Sequence, residues 1–249
     1  MARYQVIIAY DGTAFAGFQR QANVRTVQGT IETALRCLGW QGSTILSAGR
    51  TDTGVHATGQ VIAFDMAWEH SLQALCKAIN ANLPLDVAAQ AVSEAQDDFH
   101  PRFSARARRY VYQIFCQEER LPFLERAHWR VWPAVDLEAL RMAAVWLPGD
   151  HDFTAFGTPP KPGGKTVRTV MSASWQEFSL QPGLIGLRFE IVANAFLYHM
   201  VRRLVYIQIL VGQGRIDMQE WVSGLQNGQP QTPGLAPAHG LVLAEVIYV

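Results

Sequence analysis

Apolar and polar positions alternate in blocks along the first hundred residues. Tyr4 to Tyr10 predicts a strand, and Val27 to Leu38 predicts a helix with Thr26 as N-cap and Ile31, Leu35 and Leu38 on one face. Thr44 to Ala48 and Val61 to Met66 read as strands bracketing a polar loop. Ser71 then caps a helix whose Leu72, Leu75, Cys76, Ile79 and Leu83 recur at helical spacing until Pro84 stops it, and a strand follows at Val87 to Val92. Interleaved strands and helices of this kind predict an α+β class.

Residues 99–107 form a Pro-containing basic loop, after which a second set of elements begins. Arg108 to Cys116, Val167 to Phe178, Leu184 to Val192 and Leu241 to Tyr248 predict strands; Asp136 to Leu147 and Ala195 to Val211 predict helices. We expect an N-terminal domain over 1–104 and a C-terminal one over 105–249. Each holds a few strands and two helices, which permits a duplicated α+β unit whose sheets join.

Composition sharpens this picture. The 249 residues are 49% hydrophobic, enough for a substantial core. No apolar run approaches the roughly 18 to 20 residues of a membrane span, and MARYQVIIAYDGT enters a strand pattern without the regions of a signal peptide, so no membrane and a cytoplasmic location are expected. Cys37, Cys76 and Cys116 are widely spaced, with no CxxC pair or nearby His, which predicts reduced structural thiols and no metal. The formal net charge is zero, yet no acidic residue lies between Asp98 and Glu118, where Arg102, Arg106, Arg108 and Arg109 crowd together. Only Lys77, Lys161 and Lys165 are lysines. The predominance of arginine suits phosphate binding and base stacking, although a thermophilic habit or a GC-rich genome yields the same bias.

Candidate chemistry gathers in SAGRTDTGVHATGQV. Asp52-Thr53-Gly54 spells an aspartic-protease loop, but no second Asp-Thr-Gly exists to share a proton, and Arg50 two residues earlier favours an ionised Asp52. A second copy of the chain could supply the missing carboxylate, so the peptidase reading stays open on these residues alone. An Asp in a Thr- and Gly-rich loop also serves as a turn residue. Arg50, Thr51, Thr53, His56 and Gln60 nevertheless concentrate more polar groups than a connection needs. Gly163-Gly164-Lys165-Thr166 ends like a phosphate-binding loop, but the required first Gly is Pro159, and no nucleotide cofactor is expected. Tyr110 is either a strand aromatic or a stacking platform for an unpaired base. Arg202 and Arg203 interrupt an apolar helix; Arg202, on a face with Tyr198 and Tyr206, either reaches solvent or pairs with a buried carboxylate.

YDGTAFAGFQRQ, AGRTDTGVHATGQV, DDFHPRFSARARRYVY, NAFLYHMVRR and APAHGLVLAEVIY, in that order over almost the whole chain, resemble the tRNA pseudouridine synthase A family. The resemblance implies two similar ferredoxin-like α+β halves whose antiparallel or mixed sheets join into one central sheet flanked by helices, with a basic cleft between them. It implies isomerisation of uridine to pseudouridine at positions 38 to 40 of the tRNA anticodon arm, without metal or organic cofactor, by a homodimer. It makes Asp52 the essential aspartate and Arg202 its arginine partner. Tyr110 becomes the tyrosine that stacks on the target base, and Arg50 a holder of RNA or displaced uracil. Gln60, Arg102, Arg106 and Arg109 complete the expected substrate-binding set. Thr53, Phe18, Tyr198 and Arg203 stand where the family commonly has Ala, Trp, His and Asn. The rival from another class is a tRNA-binding protein or chaperone without chemistry.

Overall fold

A computed structural model describes residues 1–159, 161–228 and 232–248. In chain order it holds β1 (Ala2–Tyr10), α1 (Val27–Cys37), β2 (Leu46–Ser47), β3 (His56–Met66), α2 (Leu72–Asn82), β4 (Val87–Ala95) and β5 (Ala107–Cys116). There follow β6 (Trp129–Val131), α3 (Leu137–Val145), β7 (Gly149–Asp152), β8 (Val167–Gln181), β9 (Leu184–Ala193), α4 (Met200–Gly212), α5 (Met218–Asn227) and β10 (Leu241–Ile247). The class is α+β, as the patterning predicts. The chain divides into two compact units, Met1–Arg106 with the segment from Val242 onward, and Ala107–Leu241.

In the first unit the strands run β4-β1-β3-β10, with β2 beside β3. β1 lies antiparallel to β3 and β4, whereas β10 is parallel to β3, pairing Val242 with His56 and Leu243 with Ala57. Strict alternation buries Tyr4, Val6, Ile8 and Tyr10 on one face of β1. Across the ladder Tyr4 meets Phe64, Val6 meets Ile62 and Ile8 meets Gln60, so a polar amide stands in an otherwise apolar row. Thr26 and Ser71 cap α1 and α2 by accepting from Gly29 and Ala74, and Leu38 and Leu83 end them. The buried stripes Val27, Ile31, Leu35 and Leu75, Ile79 give each helix its inward face, each such side chain contributing about 1.5–3 kcal/mol of hydrophobic stabilisation.

A fully buried carboxylate fastens this unit. Glu32 of α1 accepts from Arg20 at 2.5 Å, from Gln28 at 2.8 Å, and from Thr44 Oγ1 and the Ile45 amide at 3.2 Å each. The predicted strand over 44–48 consequently shrinks to β2. Its first residues give their donors to Glu32 instead of to a ladder.

In the second unit β5-β9-β8-β7 form an antiparallel ladder, and β6 runs parallel beside the end of β5. Trp175 of β8 donates to Gln208 of α4 at 2.9 Å, and Trp221 of α5 donates to the Ala143 carbonyl of α3 at 3.0 Å. Both indoles thereby bury their apolar rings without stranding a donor. The helix predicted from Ala195 starts only at Met200. Tyr198 exchanges backbone hydrogen bonds with Thr158 at 3.0 and 3.2 Å, and His199 adopts a left-handed φ of 67°, so the preceding residues form a bridge. Tyr198 therefore leaves the helical face assigned to it beside Arg202, and stacks on His199. Helix α5 escaped prediction although Asp217 caps it by accepting from Glu220, an Asp-x-x-Glu start signal visible in the sequence.

Two outcomes test these anchors. Glu32→Ala should lower unfolding free energy by about 2–3 kcal/mol in urea titration, because the buried Gln28 amide and Ile45 N–H lose their acceptor together with the part-buried Arg20 and Thr44 donors. Asp65, hydrogen-bonded to Arg3 at 2.7 and 2.8 Å, is held below the usual carboxylate range by that bond. Its contribution is present above the ordinary aspartate range and is lost as pH falls towards the depressed value. Thermal melts of Asp65→Asn should accordingly show a weaker acid dependence than wild type.

Candidate active site

The Asp52 loop, residues 48–55, hangs between β2 and β3, and the first unit holds it from below. Tyr10, at the end of β1, is buried and its hydroxyl lies 2.8 Å from Thr51 Oγ1. A register shift between Ile8 and Tyr10 marks the strand end that carries this contact. Gln60, with no exposed surface, donates to the Gly49 carbonyl at 2.9 Å and accepts from the Val61 amide at 3.1 Å. Burial pushes the Tyr10 phenol up, against the pull of its Thr51 and Gln60 hydrogen bonds, so it stays a neutral hydroxyl.

A second support is backbone. The Phe18 amide donates to the Thr51 carbonyl at 3.1 Å, and the Gly54 amide to the Phe15 carbonyl at 3.4 Å. The carbonyls of Gly17 and Phe18 in turn accept from Val27 and Gln28 at the start of α1. The segment DGTAFAGF is thus a clamp between helix and loop. Its fit is tight: a Cβ on Gly12 would stand 2.0 Å from the Val55 carbonyl oxygen, and Gly17 combines φ +88° with a Cβ position 2.9 Å from the Thr51 oxygen. The Gly12 amide also lies 3.0 Å from Nδ1 of the buried His56, with Asp11 Oδ1 3.2 Å from the same nitrogen. On this frame Asp52 is half-buried, its carbonyl accepting from Val55 at 3.1 Å, and Arg50 is exposed.

The second unit carries Tyr110, Arg109 and Arg202. Along β5, Tyr110 pairs with Ile191 and Tyr112 with Phe189, so both tyrosines share one face of the sheet. Tyr110 is half-buried and meets Phe196 edge-on, ring centroids 5.0 Å apart. Tyr112 is fully buried and donates to the Pro237 carbonyl at 2.7 Å. Arg202 Nε donates to the neighbouring Ala236 carbonyl at 2.8 Å, and the Ala236 amide returns a bond to the Arg202 carbonyl at 3.3 Å. Arg203 holds the Gly234 carbonyl at 2.7 Å. Burial raises the Tyr112 pKa strongly while the Arg202 charge opposes it, so the guanidinium is close enough to be felt there.

Two of the expected substrate-binding residues are also engaged within the fold. Gln60 lies opposite Ile8 on the core face and donates its amide beneath the loop. Arg109 immediately precedes Tyr110 on β5. Strand alternation turns it to the opposite face, where it pairs with Glu190 at 3.1 Å. The arginine on the Tyr110 face is Arg108, which donates to the Asn194 carbonyl at 2.9 Å. Period-two reading of ARRYVY exposes this assignment, and the acid-free run obscured it. Arg102 and Arg106 are exposed in the first unit, the Arg106 amide donating to the Ile247 carbonyl at 2.9 Å. Thr166 leads into strand β8, not into the helix that a phosphate-binding loop requires. No group of three or more His, Cys, Asp or Glu side chains among the described residues is placed to hold a metal ion, and no helix among them is long and apolar enough to cross a membrane.

A polar loop clamped under an Asp-Thr-Gly turn, with the rest of the chain folded as above, matches a known family model, tRNA pseudouridine synthase, over residues 6–104 and 143–249. The chain belongs to that family. The tRNA pseudouridine synthase A of Chloroflexus aurantiacus is 42% identical over all of this chain and 89% of its own length. That of Latilactobacillus sakei is 39% identical, covering 99% of this chain and 98% of the relative, and that of Fervidobacterium nodosum is 39% identical over the full length of both. A solved protein of unknown role from Galdieria sulphuraria aligns over 86% of this chain and 92% of its own, at 9% identity and a TM-score of 0.24, too low to carry an argument. Membership makes the chain an isomerase of the pseudouridine synthase class and removes the peptidase reading.

Gly12→Ala tests the clamp. A methyl group that displaces the Val55 carbonyl shifts the Asp52 loop, and turnover should fall about a hundredfold or more while cooperative thermal unfolding persists. Retained turnover in a variant with intact circular dichroism would show that the loop does not need this close approach.

Proposed function

We propose that the protein converts uridine to pseudouridine in the anticodon stem-loop of tRNA, at positions 38 to 40, with Asp52 as the essential carboxylate. The supporting observation is the loop itself: buried hydrogen bonds from Tyr10 and Gln60, and backbone bonds from the DGTAFAGF segment, support a half-buried aspartate from several sides. Such preorganisation suits a reacting group better than a turn. The relatives named above, similar over essentially the whole chain, carry tRNA pseudouridylation in their names.

The reaction breaks the C1′–N1 bond, turns the uracil, forms a C1′–C5 bond and replaces the C5 proton by one at N1. A charged carboxylate can open this sequence by attacking, or by removing a proton. Tyr110, half-buried with its ring braced by Phe196, is proposed to stack on the flipped base; Arg202 supplies positive charge to the same step, and Arg50, Arg102 and Arg106 contact RNA. The reading includes a homodimer acting in the cytoplasm, residues 1–104 bringing the aspartate and residues 105–249 the tyrosine and arginine.

Unmodified tRNA carrying tritium at uracil C5, incubated without added metal, provides the test. Wild type should release tritium, and Asp52→Asn should lose at least about a thousandfold in rate with tRNA affinity within about threefold. Wild type that binds the tRNA and releases nothing would favour the non-catalytic tRNA-binding protein instead.

A further inference from the structure

Phe103 is 75% exposed, at the tip of a turn in the acid-free basic stretch between Asp98 and Glu118. Single exposed apolar residues are common on protein surfaces. Leu85 and Phe123 are more exposed still, and Phe123 sits among Glu119, Arg120, Glu125 and Arg126. Phe103 differs from both in its setting. The His100 ring lies against it with centroids 4.3 Å apart, and the Arg102 guanidinium stands 5.7 Å from its centroid.

The turn is rigidly closed. The Phe103 and Ser104 amides both donate to the His100 carbonyl, at 3.1 and 2.9 Å. The His100 amide donates to Ser104 Oγ at 3.2 Å, and the Arg102 amide to His100 Nδ1 at 3.1 Å. Tyr248 ties the Pro101 carbonyl to the end of β10 at 2.8 Å, and the Phe99 ring packs on Tyr248. This network leaves the aromatic ring displayed instead of tucked in. A fixed, solvent-facing ring with a guanidinium alongside is the arrangement by which proteins hold unpaired nucleotides, the ring taking the base and the cation its phosphate.

We infer that Phe103, backed by His100 and flanked by Arg102, is a second stacking platform, which holds an unpaired base of the RNA substrate other than the one that reacts. The inference rests on RNA being the substrate, as proposed above. The platform contributes to holding the RNA and not to bond-making, so its loss should appear in KM and Kd.

Equilibrium binding and C5-tritium release with the same unmodified tRNA decide it. Phe103→Leu, which keeps an apolar side chain but no ring, should raise Kd and KM about 10- to 100-fold with kcat within about threefold, and Phe103→Trp should restore affinity. The slope of log K against log salt should stay at its wild-type value in Phe103→Leu and become shallower by about one in Arg102→Ala. Leu85→Ala, an apolar truncation at a still more exposed position in the same unit, should change neither affinity nor rate. Wild-type affinity in Phe103→Leu overturns the platform, as does an affinity loss in Phe103→Leu accompanied by a changed salt slope, which would mean a collapsed basic turn. Absence of tritium release from wild type would sink the enzymatic reading alone, and the binding comparison would still decide whether Phe103 holds RNA.

Discussion

Everything proposed for this chain depends on a polar loop being fixed by buried hydrogen bonds. Tyr10 and Gln60 occupy positions that a simple core would fill with apolar side chains, and each would cost stability if left unpaired. Both are paired with the loop: Tyr10 through Thr51, Gln60 through Gly49. The same bonds that satisfy the core therefore define where residues 49–51 lie, and Asp52 follows one residue later. A loop held only by surface contacts could drift by an ångström at little cost; here drifting would strand two buried polar groups. The Gly12 and Gly17 approaches close the other side, since only a residue without Cβ lets the clamp backbone come so near.

The second unit uses a different device for the same end. Arg202 and Arg203 lie on α4, whose neighbouring residues Val201, Leu204 and Val205 are buried, so the helix axis is fixed by packing. Both arginines turn one arm to backbone carbonyls of residues 234–236. A carbonyl is a neutral acceptor, so such bonds orient a guanidinium without cancelling its charge, unlike the Arg109 and Glu190 pair.

The fold was legible where one periodicity dominated. β1 shows its buried face at every second residue, and α1 and α2 carry caps at Thr26 and Ser71 with apolar stripes between. Legibility failed where a tertiary bond overrode local preference. Thr44 and Ile45 look like strand but answer to Glu32, thirteen residues or fewer away in sequence, and residues 195–199 look helical but Tyr198 bridges to Thr158. Around Asp52, the short dense polar motif was readable as a supported loop, since Tyr10, Gln60 and the clamp segment all bond to it. Residue type alone suggested RNA contact for Gln60 and Arg109, and the side of the strand on which each falls adds interior bonds that type does not reveal. That side was available in principle from alternation about Ile8 and Tyr110.

A chain of zero formal net charge has no long-range pull on RNA, so its affinity must come from local arrangement. Screening restricts each exposed guanidinium to roughly the nearest 8–10 Å at physiological salt, which makes the sequence segregation between Asp98 and Glu118 more consequential than the total. Within that stretch the fold distributes its arginines among different tasks: Arg106 and Arg102 outward, Arg108 on the Tyr110 face, Arg109 into an ion pair. Charge alone would bind any polyanion. On the proposed reading, the aromatic rings displayed among those charges add a demand for unpaired bases, which a duplex cannot meet and the structured loops of an RNA supply.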